Sequence, residues 1–211
     1  GVRFDNTNYH HIEIPHSDTI DFGYESFTIV LQVRYLKEPT TSDLWLMKGT
    51  HGIPGTGSRY MLFFTSGGTV RFTIDNGLKN IKSKLEVPGD RFVNGEWVHV
   101  VAVRDADKDT LILYANGVFQ GGTADRSGDI SNGEPLWIGE PTDMTEMAMS
   151  GDIKDVRLYN RALSEEEIQI PYYCCFKAFF SGLPGLVAHW PMIGNLNSMV
   201  TDVAHNNNGS M

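Results

Sequence analysis

The stretch GEWVHVVAVRDADKDTLILYANG, residues 95–117, contains two apolar runs that flank a charged turn. The first run begins at Trp97 and the second at Leu111, and each has the length of a β-strand. Asn116-Gly117 closes the second run, and Asn-Gly between apolar segments is among the strongest local signals of a β-hairpin. This stretch therefore predicts two consecutive strands followed by a further reversal of the chain.

Strand signals recur on both sides of this stretch, separated by Gly, Pro, Asn and Asp, which are residues that form turns. Within residues 26–35 the apolar side chains alternate, so that one face of a strand carries Phe27, Ile29, Leu31 and Val33. Further strand-like runs begin at His11, Leu44, Tyr60, Val70, Leu136 and Ile153. The pattern predicts an all-β protein folded as a two-sheet antiparallel sandwich.

The composition of the chain excludes several classes of protein. With 211 residues, 41% of them hydrophobic, the chain is long enough for one sizeable core. Its formal net charge of -9 repels phosphate backbones, so we expect no nucleic-acid partner. No run of about 18 apolar residues is present, so no segment is expected to span a membrane. Cys174 and Cys175 are adjacent and cannot staple distant segments, so they indicate neither a compartment nor a zinc site.

One short helix is predicted near residue 165. Ser164 and Glu167 have the spacing of a capping box, in which each side chain bonds the backbone N–H of the other residue. The acidic residues of the first turn suit the helix dipole. Pro171 is expected to end the helix, which would then be a surface turn rather than a layer of the fold.

These blocks resemble those of laminin-G-like, concanavalin A-like modules, over about Val2 to Pro171. The blocks that carry the resemblance are residues 95–101, 111–117, 136–139 and 155–168, together with Phe4-Asp5, Ile12-Glu13-Ile14-Pro15 and Ser26-Phe27-Thr28. The resemblance implies that residues 1–171 form a jelly-roll sandwich, concanavalin A-like, with Trp97 in its core. It also implies an extracellular or cell-surface location.

Residues 172–211 resemble a part of the family pattern that is missing from the front of this chain. Modules of the family commonly open with a strand such as Leu-Val-Ala-Tyr-Trp-Pro and an Asn/Gly-rich turn, and here GLVAHWP occurs at 185–191 and NNNG at 206–209. The segment could open a further module, fill the missing place in this one, or belong to a neighbouring chain. Apolar Leu186, Val187 and Trp190 would be costly to leave exposed. We therefore favour a C-terminal extension packed on the same sandwich or on a swapped copy.

Catalysis has little support in the sequence. Glucanases of this fold carry Glu-x-Asp-x-x-Glu, because strand alternation points positions i and i+2 at the sugar. The nearest group here is Glu140, Asp143 and Glu146, whose spacing does not fit one strand face, so a solvated acidic loop is expected. No nucleophile elbow, P-loop or His-Glu-x-x-His motif is present.

A structural calcium ion is a further implication of the resemblance. Modules of this family often hold one between the loop after the first Phe-Asp and the closing strand, and Asp5, Asn8 and Asp155 are oxygen donors of the kind that calcium takes. Lys154 stands where the family usually has an acidic residue, and its ammonium group would repel calcium or replace it by pairing with Asp5. Asp5 and Asn8 could instead form Asx turns.

Sugar recognition needs an aromatic face and planar polar side chains. The candidate ligand-binding residues are Tyr9, Trp45, His51, Arg59, Asn76 and Asp143. A concave aromatic face could be lined by Trp45, Tyr60 and Trp137. Trp137 could instead pack in the core or at the edge of a sheet.

Three functions compete. The first is a non-catalytic carbohydrate-binding module of a larger secreted or surface glycan-processing protein, with a polysaccharide or glycan and the other domains as partners. The second is an adhesion or structural module that contacts protein. The third is a glycoside hydrolase or polysaccharide lyase.

Overall fold

A computed structural model describes residues 1–5, 10–50, 57–78, 82–140, 147–173, 183–192, 200–205 and 207–210. Two antiparallel sheets face each other in a β-sandwich, as the strand pattern predicts. The first sheet has the order β1-β12-β3-β8-β9-β10, with β13 also paired to β12. Its strands are β1 (Val2–Phe4), β3 (Phe27–Arg34), β8 (Val98–Asp105), β9 (Thr110–Ala115), β10 (Val118–Ala124), β12 (Gly151–Tyr159) and β13 (Leu186–Trp190).

The second sheet has the order β2-β11-β4-β5-β6-β7. Its strands are β2 (Ile12–Ile14), β4 (Asp43–Gly49), β5 (Ser58–Phe64), β6 (Thr69–Asn76), β7 (Lys82–Pro88) and β11 (Leu136–Ile138). Two short 3-10 turns, Asp18–Ile20 and Asp90–Phe92, each bury one apolar side chain.

Alternation along the strands builds the core between the sheets. Phe27, Ile29, Leu31 and Val33 of β3 are fully buried in the core, as their spacing predicts. β4 departs from strict alternation because its register with β5 shifts between Leu44 and Leu46. The shift lets Trp45 and Leu46 both face the core, while Leu44 and Met47 lie in a separate apolar cluster with Trp137.

The stretch at residues 95–117 forms the predicted hairpin. β8 pairs with β9, and Asn116 and Gly117 then reverse the chain into β10 with φ of 51° and 74°. Two positive φ values are what a two-residue type I′ turn requires, and Asn and Gly adopt them at least cost. Trp97 differs from the prediction, because it is half-buried at the sheet rim rather than in the core. Arg34 and Lys154 lie over its ring, 4.8 and 4.0 Å from the centroid.

The helix is α1 (Glu165–Tyr173), and its capping box forms as predicted. The Ser164 N–H donates to Glu167 Oε2 at 2.9 Å, and the Glu167 N–H donates to Ser164 Oγ at 3.3 Å. The prediction that Pro171 ends the helix is wrong, because the helix continues two residues past it. Ile168 is fully buried with Leu163 against the outer face of the first sheet, so the helix covers that face rather than lying free on the surface.

The edge of β12 is filled by strands from both ends of the chain. β1 pairs with Gly151–Ile153, and β13 pairs with the stretch from Val156 to Tyr159, so the two strands lie end to end along one edge. Trp190 of β13 is fully buried, and its indole N–H donates to the Asn207 carbonyl at 2.7 Å. The segment at residues 183–192 therefore completes the core of this sandwich.

Candidate functional site

Two clefts lie at opposite ends of the first sheet. The first, which we call the Tyr24 cleft, opens where β3 begins and where β8 and β12 end, and its volume is about 660 Å³. The Tyr24 cleft is lined by Tyr24, Glu25, Ser26, Asp105, Ala106, Asp107, Lys108, Asn160, Arg161 and Ala162.

Arg104 fixes the loop that carries Tyr24. Its guanidinium is almost completely buried and donates to the carbonyls of Gly23 at 2.7 Å and Gly128 at 2.5 Å. Its Nε donates to Asp125 Oδ2 at 2.8 Å, which neutralises the buried charge. Burial raises the pKa of Asp125, but hydrogen bonds from Ser83, Ser127 and Arg104 outweigh it and leave the pKa lowered. Tyr24 therefore stands on a loop held by a buried ion pair.

The opposite wall of the Tyr24 cleft is also held in place. Arg161 donates from both Nη atoms to the Glu167 carboxylate at 2.8 Å and from Nε to the Pro184 carbonyl at 2.8 Å. The Asn160 N–H donates to the Gly185 carbonyl at 2.9 Å, which leaves the Asn160 side chain at the exposed rim.

The Tyr24 cleft combines the two features that sugar recognition needs. The Tyr24 ring is 69% exposed, so its face is open to the apolar side of a pyranose. Glu25, Asp107 and Asn160 are exposed around it and offer planar acceptor and donor groups for hydroxyls. The arrangement therefore offers the kinds of group that a sugar residue can contact.

The second cleft, which we call the arginine cleft, opens where β1 and β3 end and β12 begins. Its volume is about 340 Å³, and it is lined by Arg3, Phe4, Asp5, Arg34, Leu36, Lys37, Ser150, Gly151 and Asp152. Asp152 lies at its base and accepts hydrogen bonds from the guanidinium groups of both Arg3 and Arg34.

Three of the predicted ligand-binding residues, Trp45, Arg59 and Asn76, lie within the described part of the chain, and Arg59 and Asn76 are near neighbours on the paired strands β5 and β6. Trp45 is fully buried, and its indole N–H donates to Tyr35 Oη at 2.7 Å, so its ring has no open face for a sugar. Arg59 is 9% exposed and donates to Asp75 Oδ2 at 3.0 Å. Tyr60 also faces the core, and Trp137 is 8% exposed, so no concave aromatic face forms from these three side chains. Tyr9, His51 and Asp143 lie outside the described residues.

Asn76 lies close to the loop that carries Tyr24. A Cβ placed on Gly128 would lie 4.0 Å from both the Asn76 Nδ2 atom and the Tyr24 ring. Asn76 therefore borders the loop that carries Tyr24, although its Oδ1 already accepts the Leu78 N–H at 3.0 Å.

The described calcium donors do not fit one ion. Phe4 pairs with Gly151 in the antiparallel register, so Asp5 lies opposite Ser150, five residues from Asp155, and the two backbones are about 16 Å apart along the strand. Two aspartate side chains that far apart do not reach one ion whose bonds to oxygen are about 2.3–2.6 Å long. Asp155 Oδ1 also accepts from the Arg157 guanidinium at 2.9 Å and lies 2.7 Å from His189 Nε2. Asn8 lies outside the described residues. Among the described side chains, no three of His, Cys, Asp and Glu form a possible metal site.

The Lys154 ammonium group lies over the Trp97 ring, 4.0 Å from its centroid. Of the acidic residues considered for catalysis, Glu140 is 2% exposed, and this burial raises the pKa of its carboxyl. Asp143 and Glu146 lie outside the described residues.

Sequence reasoning missed Tyr24 and Arg34, which stand out only in three dimensions. Tyr24 occurs in DFGYES, residues 21–26, a polar turn-like segment in which an aromatic residue has no strand partner. That context was a usable signal for an exposed ring. Arg34 ends a strand and gave no comparable signal, since a charged residue there is common.

The comparison with known families agrees with this architecture. The family model of the concanavalin A-like lectin/glucanases superfamily, Laminin_G_3, matches residues 6–169. The chain belongs to this superfamily. No curated protein matches its sequence.

Several solved structures share the fold of this chain at low sequence identity. A structure described as a putative carbohydrate binding protein from Bacteroides ovatus is 16% identical with a TM-score of 0.68, over 99% of this chain and 56% of that one. The CBM40 module of the Ruminococcus gnavus IT-sialidase, bound to α2,3 sialyllactose, is 18% identical with a TM-score of 0.54, over 76% of this chain and 95% of that one. Domains LG4-5 of the mouse laminin α1 chain are 14% identical with a TM-score of 0.57, over 78% and 43%.

These concanavalin A-like neighbours are mostly binding modules. This chain spans little more than half of the Bacteroides ovatus protein. Within the described residues, no helix combines the length and the apolar character that a membrane span requires.

Proposed function

We propose that this chain is a non-catalytic carbohydrate-binding module of a larger secreted or cell-surface protein that acts on glycans. The observation that carries the proposal is the Tyr24 cleft, in which an exposed aromatic ring stands among exposed planar polar side chains on a rigid support. Binding sites of this kind lie on loops that a stable scaffold positions. The other domains of the larger protein would be its partners in the same chain.

Both walls of the Tyr24 cleft are held in place by hydrogen bonds and ion pairs, which favours ligand binding at this cleft. Arg104 holds one wall and the Arg161–Glu167 ion pair holds the other, so the ring and the rim need little ordering when a ligand arrives. A site that is ordered beforehand loses less conformational entropy on binding. The names of two structural neighbours refer to carbohydrate, which supports the same proposal. At 16% and 18% sequence identity, these two neighbours share only the fold with this chain.

Residues 172–211 belong to the same module in this proposal. Their strand β13 pairs with β12, and Pro184 and Gly185 bond the wall of the Tyr24 cleft. The C-terminal extension would then support the binding site as well as the core.

The experiment is a glycan-binding screen followed by titration calorimetry on the purified chain and the variant Tyr24→Ala. We expect binding to at least one neutral or acidic oligosaccharide and a loss of about tenfold or more in affinity in the variant. Phe119→Ala is the matched control, because Phe119 is 57% exposed on β10, away from the Tyr24 cleft, and its removal should leave affinity unchanged.

Two results would contradict the proposal. Flat responses across plant, algal and host glycans would remove the ligand class. Unchanged affinity in Tyr24→Ala, with a thermal melt that matches the wild type, would remove the site. Release of reducing ends from a bound polysaccharide would indicate an enzyme instead.

A further inference from the structure

The arginine cleft concentrates positive charge on a chain whose formal net charge is -9. Three cationic side chains line it, those of Arg3, Arg34 and Lys37, against two carboxylates, those of Asp5 and Asp152. One of the two carboxylates, Asp152, is buried, with only 6% of its side chain exposed. The side chains that line the arginine cleft therefore carry one net positive charge, and Asp152, which offsets part of the arginine charge, lies beneath them.

Asp152 orients both arginines before any ligand arrives. Arg3 donates to it from Nε and from Nη2, the second bond being 3.0 Å, and Arg34 donates from Nε at 2.9 Å. Burial raises the pKa of Asp152, but the hydrogen bonds and charges of Arg3 and Arg34 outweigh this and leave the pKa lowered. The carboxylate therefore stays ionised and keeps two guanidinium planes fixed at the base of the cleft.

Arg34 is held from a second side as well. Its guanidinium carbon lies 4.8 Å from the centre of the Trp97 ring, on which Lys154 also lies at 4.0 Å. The face of an aromatic ring attracts cations, so the Trp97 ring favours keeping both charges at this rim. Arg34 thus belongs to a preorganised array rather than to a freely moving surface side chain.

The donors of the array remain within reach of solvent. The Arg3 side chain is 56% exposed and that of Arg34 is 33% exposed, and Lys37 is exposed. A guanidinium carries five N–H donors in a rigid fork that matches the two oxygens of a carboxylate or a sulfate. Leu36, which is 61% exposed in the same cleft, offers an apolar surface beside these donors.

We infer that the arginine cleft binds the carboxylate or sulfate group of an acidic saccharide, with Arg3, Arg34 and Lys37 as its donors. Leu36 then contacts the apolar edge of the sugar ring that carries the anionic group. The choice of a saccharide rests on the proposed function, whereas the anion site itself does not. The arginine cleft thus takes an anion at the rim where the family resemblance led us to expect a cation.

The test is titration calorimetry at low ionic strength with four probes: tetragalacturonate, a heparin-derived tetrasaccharide, neutral cellotetraose and calcium chloride. The first two probes distinguish a carboxylate from a sulfate ester. We expect at least one of them to bind about tenfold or more tightly than the neutral sugar, and the difference to shrink as added salt screens the charges.

The variant Arg3→Gln with Lys37→Gln should abolish the preference for the acidic probe. Asp152 keeps Arg34 as a partner in this variant, so the fold should persist, and a thermal melt checks it. Lys37→Gln alone should give a smaller loss in the same direction. The control is Lys82→Gln with Arg91→Gln, which removes the same charge from exposed positions of the second sheet and its adjoining turn.

Several outcomes overturn the inference. Equal affinity for acidic and neutral probes would do so while leaving the proposed function intact. An equal loss in the control variant would mean that the net charge of the whole chain, rather than the arginine cleft, attracts the anion. Calcium binding that disappears in Asp152→Asn would make this a cation site.

One further outcome supports both proposals as separate sites. In it, Tyr24→Ala loses the binding of neutral sugars but keeps the preference for the acidic probe.

Discussion

His189 Nε2 lies 2.7 Å from Asp155 Oδ1, and this contact joins β13 to the strand on which it pairs. Asp155 sits where the register between β12 and β3 shifts, with a φ of 57° that turns its side chain out of the regular alternation. From there its carboxylate also receives the Arg157 guanidinium, whose side chain is fully buried. One acidic residue therefore neutralises a buried arginine and holds the C-terminal strand.

Asp155→Asn should destabilise the chain by about 3–5 kcal/mol, because it leaves the Arg157 charge buried without its carboxylate partner. His189→Ala should cost less, about 1.5–3 kcal/mol, since it removes one charge-assisted hydrogen bond and leaves the Arg157 pair intact. Urea unfolding at neutral pH measures both. An equal cost for the two variants would show that Arg157 does not depend on Asp155.

The carboxyl of Asp43 predicts an unusual dependence of stability on pH. Burial raises its pKa from 3.8 to about 6, although it accepts the Ser150 N–H at 2.8 Å. Between those two values the folded chain binds the proton that the unfolded chain has lost, so this group makes stability fall as pH rises through that range. The loss is about 3 kcal/mol at neutral pH.

Asp43→Asn should therefore be more stable than the wild type at pH 7 and nearly equal to it at pH 4. The amide oxygen can still accept from Ser150, so the geometry is kept. Denaturant titrations of the variant and the wild type at several pH values between 4 and 7 measure the difference. A constant difference between variant and wild type across this range would rule out the pKa of Asp43 as its source.

Arg104 is expected to control the order of the loop that carries Tyr24. Arg104→Met removes the donors to Gly23 and Gly128 and leaves Asp125 buried without its ion pair, at a cost of about 3–5 kcal/mol. Ser127→Ala is the milder variant and should cost about 1 kcal/mol. Hydrogen exchange at residues 21–26 should accelerate in both. Protection that stays at the wild-type level in that loop would show that Arg104 does not hold it.

Asn116 tests the turn between β9 and β10. Asn116→Ala should cost about 1–2 kcal/mol, because alanine pays for a positive φ and the bond from the His99 N–H to Asn116 Oδ1 at 2.8 Å is lost. Asn116→Gly keeps the backbone conformation and should cost less than the alanine variant. Thermal unfolding compares them, and an equal loss in both variants would point to the side-chain hydrogen bond, which both lack, rather than the positive φ as the main contribution.

The parts of the fold that depend on neighbouring residues were accessible from the sequence. The 95–117 hairpin and the Ser164–Glu167 capping box each follow from local spacing, and both formed. β7 (Lys82–Pro88) was missed, although its strict alternation of exposed and buried residues follows the usual strand pattern, because charged residues occupy its solvent face.

Features of the structure that depend on contacts between residues far apart in the chain could not be predicted from the sequence. Trp45 faces the core beside a shift of strand register, and nothing in its local sequence announces that shift. Trp97 is half-buried because cations from β3 and β12 cover it. Each cleft joins loops that the chain places far apart: Tyr24 meets Asn160 across the sheet, and Arg3 meets Asp152 across 149 positions. Individual residue types predict such sites poorly, because sites of this kind arise from topology.

The shared edge of β12 also bears on how the molecule reaches its native state. Among the described strands, β1 is synthesised before the others and β13 after them, yet both must dock on β12. Strand pairings between residues far apart in sequence form slowly, because closing the long loops costs conformational entropy before the new contacts stabilise the chain. During synthesis, β12 therefore emerges with the part of its edge destined for β13 still open. We expect the nascent chain to depend on chaperones, or to remain prone to strand exchange, until β13 becomes available.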